Sequence, residues 1–304
     1  MANIVEGKVA IVTGAGRGIG RAISLLMAAE GARVLVNDVG AGLDGAGADT
    51  GPAQTVVEEI KKLGGKAIAS TLSISVPENS DKIAQAALDA FGRVDILVNN
   101  AGILRDRIFH KMSWSDWKDV IDVHLHGSFN MSRAVAGHFR EQGSGSMVHM
   151  TSTSGLIGNY GQANYMAAKM AIVGLSRSIA LDMERFGVRS NCIAPFAWSR
   201  MIGSIPTESE EEKRRVEKLQ QMTPEKIAPL VVYLASDRAK GISGQIFSVR
   251  NNEVFLFNQT RPIRSLHRAD GWTPERLDAQ LKGAFGPSLT PLDRSGDVFS
   301  WDPV

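Results

Sequence analysis

Cysteine is almost absent from this sequence, as are several features that mark particular classes of protein. The 304 residues contain one cysteine, Cys192, so a disulfide framework and a thiolate metal cluster are excluded. No apolar run reaches the roughly 18 residues that a membrane-spanning helix needs. The first residues, MANIVEGKVAIVTG, lack the charged and apolar regions of a signal peptide. We therefore expect a cytoplasmic protein with no membrane segment and no metal site.

An excess of charge of one sign is also missing. The formal net charge is +2, and no dense block of lysine and arginine stands out. That balance argues against a protein that binds nucleic acid. Hydrophobic residues make up 43% and charged residues 22% of the chain, which is typical of a globular protein. A chain of this length can bury a core without disulfides or metals.

The sequence does contain a regular alternation of short apolar runs and helix-like stretches, up to about residue 249. Buried strands separated by helices imply right-handed crossovers and a parallel sheet covered on both faces. We predict an α/β fold with a Rossmann-like, doubly wound parallel sheet of seven strands. The predicted strands are residues 8–13, 32–38, 66–70, 94–100, 146–152, 188–194 and 245–249. The predicted helices are residues 18–30, 52–63, 77–91, 116–140, 165–186 and 224–236.

Three stretches interrupt this alternation. Residues 40–51 are rich in glycine and lengthen the loop after the second strand beyond the usual few residues. Residues 203–223 are highly charged, and we interpret them as a mobile helix or lid. The chain after about residue 250 is polar and shows no clear period. The prediction is a single nucleotide-binding domain over residues 1–250, with an irregular C-terminal extension over residues 251–304.

A glycine-rich run, TGAGRGIG at residues 13–20, joins the first predicted strand to the first helix. Its glycines let the backbone approach a pyrophosphate, which the helix N-terminus attracts. Asp38 ends the second strand, 18 residues after Gly20, where a carboxylate can accept both ribose hydroxyls and repel a 2′-phosphate. Arg17 favours a 2′-phosphate, but carboxylate repulsion in a tight pocket outweighs one flexible arginine. We therefore predict NAD as the cofactor in preference to NADP.

Tyr165 and Lys169 lie four residues apart in the run YMAAK, on one face of a predicted helix. Free tyrosine titrates near 10, so it is a poor base at neutral pH. An ammonium about 4 Å away would stabilise the phenolate by roughly 4 kcal/mol, or about three pK units. We therefore expect Lys169 to lower the pKa of Tyr165 and make it a usable base.

The TGxxxGxG loop, Asn-Asn-Ala-Gly at residues 99–102 and the YMAAK run occur in the order found in the short-chain dehydrogenase/reductase superfamily. The chain resembles that superfamily over about residues 5–250. The resemblance implies hydride transfer between a C–OH group and a nicotinamide, with Tyr165 as the acid/base and Lys169 also bound to the nicotinamide ribose. It assigns the substrate oxygen to Ser152, thirteen residues before Tyr165, with Ser154 as the alternative.

The same resemblance implies a set of cofactor contacts and shows two departures. The family has an Asn that helps to hold a water relay to the lysine, and His124 stands at that position. Histidine could pass a proton there, or it could simply fill the site and bond the backbone, and both readings stay open. Leu72 and Ser73 replace an Asp that contacts the adenine, so only backbone or hydroxyl contacts are expected there. The implied cofactor-binding residues are Gly14, Arg17, Gly18, Ile19, Gly20, Asp38, Leu72, Ser73, Asn100, Ala101, Gly102, Tyr165, Lys169, Pro195, Phe196 and Ser199.

Several longer stretches resemble one branch of the superfamily. Residues 99–109 (NNAGILRDRIF), 158–165 (GNYGQANY) and 193–201 (IAPFAWSRM) are similar to the (3R)-hydroxyacyl-CoA dehydrogenase domain of multifunctional enzyme type 2, or type 4 17β-hydroxysteroid dehydrogenase. That branch implies oxidation of a 3-hydroxyacyl-CoA to the 3-oxoacyl-CoA with NAD. Basic residues of the extension could contact the CoA phosphates, form a subunit contact or lie in solvent. They are Arg261, Arg264, His267 and Arg268.

Three other functions stay open. The chain could be a 17β-hydroxysteroid dehydrogenase, or act on a CoA thioester with a steroid side chain. It could be an NADPH-dependent 3-oxoacyl carrier-protein reductase, although Asp38 argues against NADPH. It could be a catalytically inactive nucleotide-binding regulator, although the intact Ser152, Tyr165 and Lys169 argue against that. The resemblance also implies a homodimer or homotetramer, paired through the helices at about 116–140 and 165–186.

Overall fold

The computed structural model describes residues 2–42, 44–45, 47, 49–197 and 210–304. Its strands are β1 (Val9–Thr13), β2 (Arg33–Asn37), β3 (Lys66–Ser70), β4 (Ile96–Asn99), β5 (Gly145–Met150), β6 (Val188–Phe196), β7 (Ile246–Arg250) and β8 (Glu253–Leu256). They form one sheet in the order β3-β2-β1-β4-β5-β6-β7-β8. The first seven strands run parallel, which confirms the predicted sheet, and β8 pairs antiparallel with β7.

Helices cover both faces of the sheet. In β1, Ala10 and Val12 pack into one core cluster, whereas Val9 and Ile11 pack into a second cluster on the other face. This alternation follows from the two-residue period of a strand, and burial on both faces explains why β1 is continuously apolar. The helices are α1 (Gly18–Ala29), α2 (Gly51–Lys62), α3 (Pro77–Phe91), α4 (Trp114–Ile121), α5 (Gly127–Gln142), α6 (Thr153–Leu156), α7 (Ala163–Met183), α8 (Glu210–Gln220), α9 (Ala228–Ala235), α10 (Pro274–Phe285) and α11 (Ser295–Val298).

The helix predicted over residues 116–140 is two helices joined by a π-helical turn. The turn spans Asp122–His126, between α4 and α5, and contains His124. Insertions of this kind in an α-helix are frequent at functional sites. Hydrophobic periodicity does not reveal one, because a single wide turn leaves the apolar face nearly unchanged.

The C-terminal extension is more ordered than the irregular segment that we predicted. It supplies β8, α10 and α11, and β8 is an eighth strand that the sequence did not indicate. The apolar Val254 and Leu256 point outward from β8 and are 59% and 65% exposed, so its strand pattern is masked. A two-residue turn with Asn251 in a left-handed conformation (φ 54°) joins β7 to β8.

The charged segment predicted as a lid is described only in part. Residues 203–209 lie outside the described residues, and α8 follows them. Among the helices that the structure describes, none is long and apolar enough to cross a membrane.

Candidate active site

The glycine-rich loop lies where β1 meets α1, and two of its glycines make close backbone contacts. A Cβ on Gly14 would come within 2.6 Å of Ala101 Cα, and one on Gly20 within 2.1 Å of the Gly14 carbonyl. Gly18 has a left-handed φ of 52°, and no atom of the described residues lies within 4 Å of its Cβ position. The loop is therefore packed tightly on its inner side and open at Gly18, as a loop that admits a pyrophosphate must be. Ile19 of α1 packs against the adjoining core.

The carboxylate of Asp38 lies beside this loop, just after β2. Its two oxygens accept hydrogen bonds from the Gly16 amide at 2.8 Å and the Gly40 amide at 2.7 Å. Each oxygen keeps acceptor capacity for a further hydroxyl donor. The side chain is thus fixed at the loop, where the ribose of a dinucleotide would lie.

A pocket of about 330 Å³ opens next to Gly16 and Arg17. Asp49, Glu59 and Arg21 also border it, and Arg21 pairs with Glu59. Arg17 is exposed, and among the described residues its guanidinium contacts the Ala41 carbonyl, at 3.5 Å. Two carboxylates and two arginines therefore border the pocket, and one of each, Glu59 and Arg21, are paired with each other.

Asn100 ties the end of β4 to the glycine-rich loop. Its side-chain amide donates to the carbonyls of Thr13 at 3.0 Å and Gly14 at 2.9 Å. The Thr13 hydroxyl accepts from the amides of Asn100 and Ala101. Thr13 was missing from the sequence-derived set, although the Thr that opens TGxxxGxG was visible in the motif.

The remaining implied cofactor residues lie at the same edge of the sheet. The Leu72 carbonyl accepts from Asn37 at 2.9 Å, and the Ser73 hydroxyl pairs with that of Ser75. Pro195 and Phe196 end β6. Ser199 lies outside the described residues. Because the carboxyl ends of parallel strands meet at one edge, the described members of the set share one crevice.

Ser152, Tyr165 and Lys169 converge at the end of β5. Ser152 caps α6 by accepting from the Ser154 amide at 3.1 Å, and its hydroxyl lies near enough to the Tyr165 phenol to oppose the rise in the pKa of that phenol. Lys169 is buried, with its Nζ 5.5 Å from the centroid of the Tyr165 ring. Ser152, rather than Ser154, therefore lies beside the phenol of the half-buried tyrosine.

The expected effect of Lys169 on Tyr165 is not observed. Burial raises the pKa of Tyr165 and outweighs the opposing effect of the Ser152 hydroxyl. Burial also lowers the pKa of Lys169 to about 7, so its charge is only partly present at neutral pH. Lys169 Nζ donates to the Met150 carbonyl at 2.6 Å rather than to the phenol. The expectation counted the attraction between the two groups but omitted the cost of burying their charges.

His124 lies in the π-helical turn and packs edge-on against Tyr165, with ring centroids 5.2 Å apart. Its Nε2 lies 3.1 Å from the amide nitrogen of Ile103 and 2.8 Å from its carbonyl oxygen. Its Nδ1 is buried and lacks a hydrogen-bond partner among the described residues. Burial and then the charge of Lys169 lower the pKa of His124 to about 3, so the ring is neutral.

Two buried polar residues near the site were not identified from the sequence. Asn164 donates to the carbonyls of Arg105 at 3.0 Å and Asp116 at 2.8 Å, which fixes the start of α7. His149 of β5 is fully buried between Asn99 and Ser190, each 3.1 Å away. Burial lowers its pKa to about 4. An Asn or His inside an apolar strand or helix pattern was the only available signal.

The end of the C-terminal extension packs at the same crevice. The Ser295 amide donates to the Gly158 carbonyl at 2.9 Å, and Phe299 packs against Phe196 with ring centroids 4.9 Å apart. Lys218 of α8 pairs with Asp302 at 2.8 Å. The extension therefore contacts the loop before Tyr165, the end of β6 and α8.

Sequence comparison places this geometry among known proteins. The family model described as short chain dehydrogenase matches residues 8–205. The peroxisomal multifunctional enzyme type 2 of Mus musculus is 42% identical over 274 residues, which are 90% of this chain and 36% of that protein. Hydroxyacyl-CoA dehydrogenase ChsB1 of Mycobacterium tuberculosis is 37% identical over 295 residues, 92% of this chain and 89% of that protein. The chain thus spans about a third of the multifunctional enzyme.

One solved structure is similar to this chain in both fold and sequence. It is a 7α-hydroxysteroid dehydrogenase complexed with NADH and 7-oxo glycochenodeoxycholic acid. It is 32% identical, has a TM-score of 0.71, and the match covers 82% of this chain and 95% of that one. The predicted resemblance to the superfamily and to the multifunctional enzyme branch is confirmed.

Proposed function

The chain belongs to the short-chain dehydrogenase family, and from that premise we propose that it oxidises a 3-hydroxyacyl-CoA to the 3-oxoacyl-CoA with NAD. The observation that carries the proposal is that Ser152, Tyr165 and the buried amine of Lys169 meet at the end of β5, with the Lys169 Nζ 5.5 Å from the centroid of the Tyr165 ring. The names of the relatives, a peroxisomal multifunctional enzyme and a hydroxyacyl-CoA dehydrogenase, support the substrate class.

The side chains divide the work of oxidising an alcohol. The Ser152 hydroxyl would hold the substrate oxygen, and Tyr165 would take its proton as the C–H bond breaks. Lys169, whose pKa is about 7, can hold or release a proton beneath Tyr165 at neutral pH. When bound, NAD would supply the hydride acceptor. In the reverse direction Tyr165 would return the proton to the carbonyl oxygen.

The residues around the glycine-rich loop fit NAD better than NADP. Asp38 is fixed by two backbone amides at the expected ribose position, and Asp49 and Glu59 border the adjoining pocket. A 2′-phosphate there would face three carboxylates, against one uncommitted arginine, Arg17. The fit includes the open space at Gly18, where a pyrophosphate would meet the N-terminus of α1.

The contacts of His124 support a positioning role rather than a proton relay. Its Nε2 is committed to the backbone of Ile103, and its low pKa keeps the ring neutral across the physiological range. We therefore infer that His124 holds Ile103 and the edge of Tyr165 in place.

A second candidate function is the oxidation of a steroid alcohol. It is favoured by the likeness to a 7α-hydroxysteroid dehydrogenase whose structure holds NADH and 7-oxo glycochenodeoxycholic acid. We expect initial rates of NAD reduction with a 3-hydroxyacyl-CoA to exceed those with 17β- and 7α-hydroxysteroids. A steroid preferred in kcat/KM, or an absence of thioester turnover, would overturn the acyl-CoA assignment.

Exposed apolar side chains on two helices support the proposal that the protein forms a homo-oligomer. Large apolar side chains are exposed on α5 and α7, as a pairing of two copies through these helices requires; they include Phe129, Met170 and Leu181. We propose a homodimer or homotetramer in the cytoplasm, and sedimentation equilibrium distinguishes these from a monomer.

A further inference from the structure

A basic turn, defined as residues 107–111, projects beside the candidate active site. Arg107, His110 and Lys111 are exposed, and so are Ile108 and Phe109, at 47% and 76% of their surfaces. Two adjacent exposed apolar side chains thus lie between exposed cations in this turn. The turn therefore has the composition of a site for an aromatic anion.

The basic turn is attached to the catalytic helix. The Arg107 amide donates to the Gly161 carbonyl at 2.8 Å, and Arg107 pairs with Gln162 in a parallel bridge. Gln162 caps α7 and also donates to Asp106 at 2.9 Å. Gln162 lies three residues before Tyr165, so the bridge holds the backbone of Arg107 beside the first turn of the helix that carries Tyr165. An extended side chain on Arg107 can thus reach a group carried on a long arm from the reacting carbon.

The basic side chains of this turn form no ion pair with the described carboxylates, so they can bind an anion. Among the described residues, ion pairs occupy the neighbouring Arg105, which lies 3.6 Å from Asp119, but not Arg107, His110 or Lys111. The nearby carboxylates are otherwise engaged. Asp106 accepts from Gln162, and Asp116 accepts from Ser113, whose hydrogen bonds, with the charge of Arg107, lower the pKa of Asp116.

Two of the basic residues of the C-terminal extension, Arg264 and Arg268, have side-chain partners within that extension. Arg264 donates to Ser288 at 2.6 Å, and Arg268 pairs with Asp270 at 2.7 Å. Just before them, Gln259 donates to the Gly244 carbonyl, which precedes β7 at the edge of the sheet opposite to the catalytic residues. The structure therefore does not favour these residues as the contacts for the CoA phosphates.

We propose that the basic turn binds the 3′-phosphate and diphosphate of the coenzyme A moiety, with the adenine against Phe109. The inference rests on the proposed acyl-CoA function and assigns the nucleotide end of that substrate. Arg107 and Lys111 supply charge-assisted hydrogen bonds to phosphate, and the exposed Phe109 ring supplies a stacking surface for the base. The acyl end would then lie toward Ser152 and Tyr165.

The test compares two thioesters of the same 3-hydroxyacyl chain, one of coenzyme A and one of N-acetylcysteamine, which lacks the nucleotide. In the double variant Arg107→Glu with Lys111→Glu, we expect the KM for the CoA thioester to rise about tenfold, because two attractions become repulsions. The kcat and the KM for the N-acetylcysteamine thioester should change less than about twofold. Phe109→Ala should raise only the KM for the CoA thioester.

A matched control carries the same change in charge at the far edge of the sheet. Lys62→Glu with Lys66→Glu alters two exposed lysines, at the end of α2 and the start of β3, and should leave both KM values unchanged. Charge reversal of Arg261 and Arg264 tests the basic residues of the C-terminal extension as the alternative site for CoA. If that variant raises the KM for the CoA thioester and the Arg107 and Lys111 variant does not, the proposal is wrong.

Two further results would overturn the proposal. In the first, the Arg107 and Lys111 variant raises both KM values equally. In the second, it changes the mass of the assembly in solution, and so the number of subunits, without changing the KM for the CoA thioester. That result would identify the basic turn as a subunit contact. If the unaltered protein oxidises neither thioester, the acyl-CoA function itself fails. Oxidation of both with no selective effect rejects the nucleotide site alone.

Discussion

The buried amine of Lys169 makes the stability of the protein depend on alkaline pH. Its pKa is about 7 in the folded chain, against 10.5 for free lysine. Between those values the unfolded chain binds more protons, so the free energy of unfolding rises with pH, by up to about 1.4 kcal/mol per unit from this group. Below about pH 7 both states are protonated, and the contribution is constant.

Lys169→Met removes this titration. We expect the difference in unfolding free energy between the natural protein and Lys169→Met to change steadily from about pH 7 to about pH 9.5, in favour of the natural protein. Urea unfolding at a series of pH values measures it. A constant difference would mean that the amine is not desolvated.

The ring of His124 is neutral, so its loss should not alter the pH dependence of the rate. His124→Ala removes the contact with Ile103, so we expect kcat to fall by less than about tenfold, with no change in the pH dependence of the rate. His126→Ala, at an exposed position in the same π-helical turn, is the control. A larger loss, or a lost ionisation in the pH profile, would assign proton transfer to His124.

At the scale of elements, the loop between β1 and α1 combines backbone strain with open space. Gly18 and Gly92 both have left-handed φ values, 52° and 79°, and no atom of the described residues lies within 4 Å of either Cβ position. Alanine at each should therefore cost a similar amount, about 1 kcal/mol. Only at Gly18 would the methyl group enter the space that a pyrophosphate needs.

We therefore expect Gly18→Ala to weaken NAD binding by more than about tenfold, whereas Gly92→Ala leaves it unchanged. Titration calorimetry with NAD gives both affinities, and thermal unfolding verifies that the two variants lose similar stability. Equal affinities would show that the loop does not contact the cofactor.

Some strands and helices could be predicted from sequence patterns, whereas others could not. Apolar strands such as β1 were predictable because burial on both faces gives an unmistakable run. The outward-facing apolar residues of β8 conceal its period, and the wide turn around His124 leaves no periodic trace. The motifs identified Ser152, Tyr165 and Lys169, but not the pKa values, because burial of the two ionisable groups depends on the packed structure.

At the scale of the whole molecule, cofactor choice follows from the balance of charge at one end of the crevice. Asp49 and Glu59 border the pocket beside the Gly16 loop, where Asp38 is held by the Gly16 amide, and Arg17 is the exposed arginine there that is not paired with Glu59. We expect NAD to be preferred over NADP by more than about tenfold in kcat/KM, and Asp38→Ser to reduce that preference by about tenfold. A natural preference for NADP would contradict this account of the pocket.

Two ends of the molecule meet at the crevice. The Gly16 amide holds Asp38 beside the glycine-rich loop, and Ser295 and Phe299 of the extension pack beside Gly158 and Phe196. We propose that the dinucleotide binds beside Asp38 and that the substrate binds beside Tyr165. The acid/base role of its phenol is the central claim.

The most direct test of that claim is Tyr165→Phe, because it removes one hydroxyl and keeps the ring beside His124 and Lys169. We expect NAD reduction with a 3-hydroxyacyl-CoA to fall by at least about a thousandfold, with the affinity for NADH, measured by fluorescence, unchanged within about twofold. Turnover within about tenfold of the natural protein, with NADH still bound, would contradict Tyr165 as the acid/base.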